Sequence, residues 1–417
     1  MMSSKGTIWF VNKDAAPIKE YATHLRTIKQ AQHFQELGYQ VKVICSSIVY
    51  NSAIDHLDGC EEFYKEECHD GVPFVFVKSL NYGESTMRRA ISYTLFSFKL
   101  RRLARSIGKP NVVIHTSRIP FDALVYCFAK RCKARYILDI TDLWPMEFEH
   151  FGFLSKKSPI LKIFYCIERR LYRKADHVVI SMEGGHQYIK DHKWDLDSGG
   201  KVDLGKVHYV NNGTDLDEFY TNLNKYTLQD SDLEDNSTQK VIYLGSIRLA
   251  NNLDQLINAA KILLPHKNIK VLIYGDGPER ATLEDKCRAE GIDNVVFKQK
   301  WIEPQYVPFV LSRASVNILN YAKDWAPYGG SMNKMMLSFA AGRPIVCNAG
   351  MRFSPIRDNE LGVDYAFNDA LEYAEAILKM VNLTDCEKLE LEKRSKLVAQ
   401  EFHTPNLNKK LQSLCNL

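Results

Sequence analysis

A glycine-rich turn leads directly into a predicted helix in the last third of the chain. The turn contains Gly329, Gly330 and Ser331, and the first turn of the helix contains Asn333 and Lys334. The start of a helix offers unpaired backbone N–H groups and the positive end of the helix dipole, which together favour phosphate groups. A lysine there is unfavourable unless an anion neutralises it. The spacing therefore predicts a diphosphate site and a nucleotide-linked substrate.

Two further loops have the composition of ligand-binding turns. A predicted strand over 240–244 ends at Gly245 and Ser246, and another over 269–274 ends at Gly275. Ligands of open parallel sheets bind at the carboxyl ends of the strands. These loops are therefore expected to border the same site as the glycine-rich turn.

Predicted strands alternate with predicted helices through both halves of the chain. The strands are expected at 7–11, 41–45, 73–77, 111–115, 135–140 and 178–181, and then at 240–244, 269–274, 295–297, 315–319 and 344–347. Such alternation is typical of parallel sheets covered by helices on both faces. It predicts an α/β fold with two Rossmann-like domains that face each other across a cleft.

A change in composition marks the expected boundary between these domains. The stretch 221–239 is polar and acidic, which is typical of a linker. The first domain is then expected to cover 1–220 and the second 240–398. Residues 399–417 form a tail, for which a return to the first domain is one option.

The composition is that of an ordinary globular protein, with 45% hydrophobic and 25% charged residues among 417. The 10 cysteines include no CxxC pair, which argues against zinc ribbons and thioredoxin-like redox chemistry and fits a reducing compartment. No apolar run has the length of a signal peptide or a membrane-spanning helix. A cytoplasmic location is therefore expected.

Basic residues are concentrated between Arg88 and Arg135, where Asp122 is the one acidic residue. Aromatic side chains such as Tyr93 and Phe96 lie among them. A basic, amphipathic stretch can contact an anionic membrane surface, here the inner face of a membrane, and the alternative is a solvated helix face. The sequence has no helix-turn-helix, zinc or RNA-recognition motif, so no nucleic-acid partner is expected.

Four segments, in this order, resemble motifs of the family-four retaining glycosyltransferases with the GT-B fold, especially the branch that makes bacterial surface polysaccharides. They are the DITDLWP segment 139–145, the VNNGTDLDEF segment 210–219, the YLGS segment 243–246 and the glycine-rich segment 329–346. The last resembles the donor-domain signature of that branch through Asn333, Lys334 and the sequence Ala-Ala-Gly-Arg-Pro at 340–344.

The resemblance implies that the second domain holds a nucleotide-sugar, with UDP as the expected nucleotide. Gly245, Ser246 and Lys334 are then expected beside the diphosphate, and Arg248 is a candidate for a second cation. The donor-site candidates are Gly245, Ser246, Arg248, Gly275, Lys298, Trp301, Gly330, Ser331, Asn333 and Lys334. Among these, Lys298 and Trp301 are expected to border the base, with a place in the core as the alternative for Trp301.

The first domain is expected to hold the acceptor. Arg26 matches an arginine at the start of the first helix in that branch and is the acceptor-side candidate. Asp142 matches the aspartate of the DLWP segment and is a catalytic candidate, with capping of the following segment as its alternative. His115, at a strand end, is the second catalytic candidate, with a core histidine as its alternative. The resemblance implies no metal and no cofactor.

One family motif is incomplete, because its two glutamates would fall on Gly329 and Leu337. The second glutamate usually holds the donor ribose, and Asp276 or Glu279 are candidates to replace it. The expected function is transfer of a hexosyl or N-acetylhexosaminyl group, with retention, to a lipid-linked or growing saccharide in capsule or O-antigen polysaccharide biosynthesis. The alternatives are a non-catalytic nucleotide-sugar-binding partner and a nucleotide-sugar epimerase on the same fold.

Overall fold

The chain forms two compact α/β units. The computed structural model describes residues 5–20, 25–50, 52–83, 85–150, 152–322 and 326–415. Contacts between residues group 1–211 with 408–417 into a first unit and 212–407 into a second unit. The prediction of two α/β domains with parallel sheets is confirmed.

The first unit contains an eight-stranded sheet in the order β3-β4-β2-β1-β5-β6-β7-β8. All neighbours are parallel except β3 and β4, which form an antiparallel edge. The strands are β1 (Thr7–Val11), β2 (Gln40–Ser46), β3 (Tyr64–His69), β4 (Val72–Val77), β5 (Val112–Thr116), β6 (Arg135–Ile140), β7 (His177–Ile180) and β8 (Val207–Tyr209). The central strands are buried along almost their whole length, as expected for a sheet covered on both faces.

Helices of the first unit connect these strands. They are α1 (Leu25–Glu36), α2 (Thr86–Ile107), α3 (Asp122–Arg131), α4 (Trp144–His150), α5 (Pro159–Lys174) and α6 (Gly185–Asp191). The final helix of the chain, Thr404–Leu414, also packs here. Asn408 Nδ2 donates to Lys29 O of α1 at 3.3 Å, and Arg135 donates to Leu414 O at 3.2 Å.

The second unit contains a six-stranded, fully parallel sheet in the order β11-β10-β9-β12-β13-β14. The strands are β9 (Gln239–Leu244), β10 (Ile269–Tyr274), β11 (Val295–Phe297), β12 (Val316–Leu319), β13 (Ile345–Cys347) and β14 (Gly362–Asp364). The helices of this unit are α7 (Leu216–Lys225), α8 (Ser231–Glu234), α9 (Leu253–Ile262), α10 (Arg280–Ala289), α11 (Val307–Ser312), α12 (Asn333–Ala341), α13 (Pro355–Asp358), α14 (Ala370–Val381) and α15 (Asp385–Glu401). The final helix of the chain, described above with the first unit, is α16 (Thr404–Leu414).

The division between the units falls earlier than the expected linker at 221–239. Helix α7 begins before the expected linker, at Leu216, and ends within it, at Lys225. Its residues Leu216 and Phe219 are buried. The Tyr220 hydroxyl of the same helix donates to Ala340 O at 3.3 Å. These contacts place α7 in the second unit. None of the described helices is long and apolar enough to cross a bilayer.

Candidate functional site

The loops after β9 and β10 touch each other through their backbones. Gly245 N donates to Tyr274 O at 2.9 Å, and Ile247 N donates to Asp276 O at 2.8 Å. Gly275 has a φ of +134°, and a Cβ there would lie 1.9 Å from Gly245 O. Only glycine fits this contact, so the two loops form one surface at the carboxyl ends of the strands.

Lys334 lies against this surface. Its Nζ is 3.1 Å from the Tyr243 hydroxyl and 4.7 Å from the centroid of the Tyr243 ring. A Cβ on Gly245 would lie 2.1 Å from that Nζ, so the glycine makes room for the lysine. Burial, and then the charge of Arg248, lowers the Lys334 pKa to about 8. Among the described residues no carboxylate pairs with Lys334, which leaves its charge available to an anionic ligand.

The Tyr243 hydroxyl holds the loop after β9 in place. It donates to Ser246 O at 2.6 Å and accepts from Asn251 Nδ2 at 2.7 Å. Asn251 Nδ2 also lies 2.6 Å from Ser246 O. Asn251 is thus a buried support of the loop.

The glycine-rich turn before α12 is fixed by Asn212. The backbone N–H of Asn212 donates to Ser331 Oγ at 2.7 Å. The side-chain Nδ2 of Asn212 donates to Ser331 O at 2.8 Å and lies 3.5 Å from Asn333 Oδ1. Gly330 is buried, and a Cβ there would lie 2.5 Å from Met332 Cε. The turn thus positions Lys334 beside the loop that contains Gly245. The roles of these residues in donor binding stay predictions.

The remaining donor-site candidates lie in different settings. Arg248 is exposed, and Trp301 is 72% exposed, so its alternative as a core residue does not hold. Lys298 Nζ lies 2.6 Å from both Asp230 and Asp232, and the structure thus commits its ammonium group to ion pairs inside the unit. The contacts of Lys298 in the structure are therefore structural, and the place of Lys298 and Trp301 beside the base stays a prediction.

Arg26 acts as a clamp inside the first unit. Its Nε and one terminal nitrogen donate to Asp139 at 3.2 and 2.8 Å, and the other terminal nitrogen donates to the carbonyls of Val210 and Asn211. Four of its five N–H groups are thereby used to join α1 to the ends of β6 and β8. The acceptor-side role of Arg26 stays a prediction, and its contacts in the structure are structural.

His115 is buried in β5 and does not lie at an open strand end. Its Nδ1 is 2.8 Å from the Tyr136 hydroxyl, and its Nε2 is 3.8 Å from Asp122. Burial, and then the charge of Arg118, lowers the His115 pKa to about 3, so the ring is neutral near pH 7. The geometry favours the alternative, a core histidine, over a catalytic role.

Asp142 follows β6 and is 42% exposed in its side chain, with Oδ2 3.7 Å from Arg118. Its neighbour Glu147, on α4, is a group that sequence reasoning missed. Burial, and then the charge of Asp142, raises the Glu147 pKa well above its ordinary value. The end of β6 therefore presents the Asp142 side chain beside a Glu147 carboxyl group that keeps its proton towards neutral pH.

A second group that sequence reasoning missed is a set of cations around a tyrosine, here named the cation–tyrosine cluster. Its members are Lys13, Asp14, Arg89, Tyr93 and Arg118. Asp14 Oδ2 accepts from the Tyr93 hydroxyl at 2.6 Å and from Arg118 Nε at 3.0 Å. Lys13 Nζ lies 4.3 Å from the Tyr93 ring centroid, and the Arg89 guanidinium lies 6.0 Å from it. Lys13 and Arg118 follow the carboxyl ends of β1 and β5.

Within the described residues, one group of side chains has the spacing of metal ligands, and it contains none of the predicted site residues. It consists of His56, Glu67 and His69 at the antiparallel edge of the first sheet. The expectation of a metal-free reaction stays a prediction.

Family models match both units. Residues 23–197 match the model described as Glycosyl transferase 4-like domain, and residues 238–382 match the model described as Glycosyl transferases group 1. A comparison with curated protein sequences found no match.

Several solved structures share the fold at low sequence identity. Alr3699/HepE from Anabaena, in complex with UDP-glucose, is 13% identical with a TM-score of 0.64, covering 99% of this chain and 100% of that chain. WaaG, a glycosyltransferase involved in lipopolysaccharide biosynthesis, is 12% identical with a TM-score of 0.68, covering 98% and 99%. A UDP-forming α,α-trehalose-phosphate synthase from Burkholderia xenovorans is 11% identical with a TM-score of 0.71, covering 99% of both chains. The chain therefore carries a glycosyl transferase 4-like domain followed by a group 1 glycosyltransferase domain, on the two-domain fold of the GT-B glycosyltransferases.

Proposed function

We propose that the protein transfers a sugar, with retention, from a UDP-sugar to a lipid-linked or growing saccharide in the assembly of a surface polysaccharide. The observation that carries the donor part is Lys334, a half-buried lysine with no carboxylate partner among the described residues, held beside a glycine loop. Two structures of the same fold, one in complex with UDP-glucose and one of an enzyme named as UDP-forming, support the choice of nucleotide.

The chemistry follows from the charge that develops on the leaving group. Breaking the bond between sugar and diphosphate leaves negative charge on the departing phosphate. Lys334 and the N-terminal N–H groups of α12 are fixed before the reaction, so they stabilise that charge without reorganisation. The exposed Arg248 supplies a second positive charge. Charge-assisted contacts of this kind are about twice as strong as neutral ones. This part of the mechanism requires no metal ion.

The ribose contact requires another residue than Leu337, whose side chain accepts no hydrogen bond. Asp276 is exposed and lies 3.8 Å from Lys300. Glu279 is half-buried at the N-terminal end of α10, and among the described residues its carboxylate has no hydrogen-bond partner. We propose that Glu279 holds the ribose hydroxyls.

The deciding experiment is a turnover assay with a panel of UDP-sugars, in which membrane extract supplies the acceptor and UDP release is measured. Lys334→Ala is expected to lower turnover at least 100-fold, as for the loss of one preorganised charge contact (~3 kcal/mol). Lys393→Ala, an exposed lysine of α15, is the matched control and should retain full activity. Unchanged turnover in Lys334→Ala would refute the phosphate site.

The same assay separates the alternatives. A non-catalytic partner would bind a UDP-sugar in calorimetry and release no UDP in any acceptor extract. An epimerase would convert its UDP-sugar with no acceptor present. Dependence of UDP release on the acceptor extract therefore supports glycosyl transfer against both.

We also propose that α2 attaches the protein to an anionic membrane. Its exposed large apolar side chains recur at intervals of three and four residues, so they lie on one face of the helix: Met87, Ile91, Leu95 and Phe98. Exposed arginines on the same helix, Arg88 and Arg101, provide the charge that complements acidic lipid headgroups.

Co-sedimentation with vesicles tests this attachment. The wild-type chain is expected to bind vesicles that contain phosphatidylglycerol and not vesicles of phosphatidylcholine alone. The double substitution Leu95→Ser and Phe98→Ser should reduce binding at least fivefold, whereas Leu397→Ser, at an exposed leucine of α15, should not. Equal binding of all three proteins would leave α2 as a solvated helix face.

A further inference from the structure

We propose that the cation–tyrosine cluster of the first unit binds a phosphate-class anionic group carried by the acceptor. The inference rests on the proposed function, because it assigns a chemical class to the acceptor of that reaction. A saccharide attached to its lipid carrier through a phosphate or diphosphate has the required group.

The first observation is an ammonium group that lacks hydrogen-bond acceptors. Lys13 is only 5% exposed, and its Nζ lies 4.3 and 5.0 Å from the ring centroids of Tyr93 and Tyr82. Among the described residues, no oxygen lies within hydrogen-bond distance of that Nζ. A buried charged donor without acceptors is costly, and a bound anion would supply them.

The second observation is the charge balance. Asp14 Oδ2 is already occupied by Tyr93 and Arg118, and Asp142 lies 3.7 Å from Arg118. Arg89 lies over the rings of Tyr50, Tyr82 and Tyr93 at 5.2 to 6.0 Å and forms no ion pair with a described residue. Three cations thus face two carboxylates, both of which contact Arg118, so the cluster has an excess of positive charge.

The third observation is position. Lys13 and Arg118 follow β1 and β5, at the edge of a parallel sheet where ligands bind. Lysine and arginine together are the residues that recognise phosphate in proteins. The donor diphosphate has its own cations in the second unit, so the anion of the first unit is assigned to the acceptor.

Calorimetry of the full chain tests the inference with inorganic pyrophosphate as the probe and saturating UDP present to fill the donor site. We expect one pyrophosphate bound per chain. Arg89→Gln, at a half-exposed position, and Lys13→Met, which keeps the buried volume, should each weaken binding at least tenfold. Arg169→Gln, at an exposed arginine of α5 in the same unit, is the matched control and should change the affinity less than twofold.

Two outcomes overturn the inference as a whole. One is the absence of pyrophosphate binding in the presence of UDP, and the other is an equal loss of affinity in Arg89→Gln and Arg169→Gln, which would indicate unspecific attraction. If Lys13→Met does not fold, Arg89→Gln alone decides.

A separate titration with UDP-glucose distinguishes the two sources of phosphate. If Arg89→Gln weakens UDP-glucose binding tenfold, the cluster serves the donor, and the assignment to the acceptor is wrong. Unchanged UDP-glucose binding in Arg89→Gln supports the acceptor. Failure of the proposed donor site has a different signature, namely unchanged UDP-glucose binding in Lys334→Ala, and the pyrophosphate titration remains readable in that case.

Discussion

Lys334 in the second unit and Lys13 in the first unit occupy similar surroundings that are built in different ways. Each ammonium group lies over a tyrosine ring, at 4.7 Å from Tyr243 and 4.3 Å from Tyr93. Burial lowers the pKa of each lysine to about 8. Each lies beside the carboxyl end of a parallel strand, so both units offer a cation where their sheets bind ligands.

The difference lies in what surrounds the two ammonium groups. Lys334 fits because Gly245 and Gly275 bring two neighbouring loops together through their backbones. Lys13 is surrounded by side chains from α2 and from the loop after β5, which lie far away in the sequence. A site made from backbone contacts should therefore fail when a Cβ is added, whereas a site made from side chains should fail when a charge is removed.

Gly275→Ala should have the largest effect, because the added Cβ would lie 1.9 Å from Gly245 O. We expect a loss of roughly 4 kcal/mol in the free energy of unfolding, together with loss of UDP-glucose binding. Gly291→Ala is the control, since its φ of +65° is also positive but no atom lies within 4 Å of its Cβ, and about 1 kcal/mol is expected. Guanidinium unfolding measures both, and similar losses would contradict the backbone-built site.

Asp14→Asn should have the next largest effect, about 3 kcal/mol, because it removes the carboxylate that pairs with Arg118 and faces Lys13. Pyrophosphate should restore part of this stability, since it supplies negative charge to the same cations. Asp197→Asn, at an exposed aspartate of the first unit, should change the free energy of unfolding by less than about 0.5 kcal/mol. A stable Asp14→Asn protein would show that the cluster is not held by charge.

The pH dependence of donor affinity follows from Lys334. Above its pKa of about 8 the free lysine loses its proton, and a bound diphosphate must recover it. Affinity for UDP-glucose should therefore be constant below pH 8 and fall up to about tenfold per pH unit above it. Calorimetry at pH 8.5 in buffers of different ionisation enthalpy should detect proton uptake in the wild type and none in Lys334→Gln. Flat affinity from pH 7 to 9.5 would contradict the loss of a proton from the free Lys334 near pH 8.

Removal of the two tyrosine hydroxyls should give the smallest and most selective effects, about 1 kcal/mol each in the free energy of unfolding. Tyr243→Phe loses the bond to Ser246 O and should also weaken UDP-glucose binding severalfold. Tyr93→Phe loses the bond to Asp14 and should leave UDP-glucose binding unchanged. Titration of both proteins with UDP-glucose checks this contrast, and a donor defect in Tyr93→Phe would remove the distinction between the two sites.

The contrast also explains which parts of the molecule were predictable. The glycine-rich turn, Lys334 and the loop of Gly245 are short-range features, so strand ends and glycine spacing were sufficient to place them. Lys298 follows a correctly predicted strand, and His115 lies near the end of another. The direction of the Lys298 side chain depends on Asp230, and that of the His115 side chain depends on Tyr136, and both partners are distant in the sequence. The cation–tyrosine cluster joins residues 13, 89, 93 and 118, and no periodicity in the sequence indicates that they meet.

The return of α16 to the first unit has a consequence for the order of events during synthesis. The first unit comprises 1–211 and 408–417, so its last helix leaves the ribosome only after the whole second unit has been made. Until then the surface of α1 that contacts Asn408 and Gln412 is uncovered. The half of the protein that is translated first is therefore completed last, and a chain that stops at residue 407 would contain a finished second unit beside an unfinished first one.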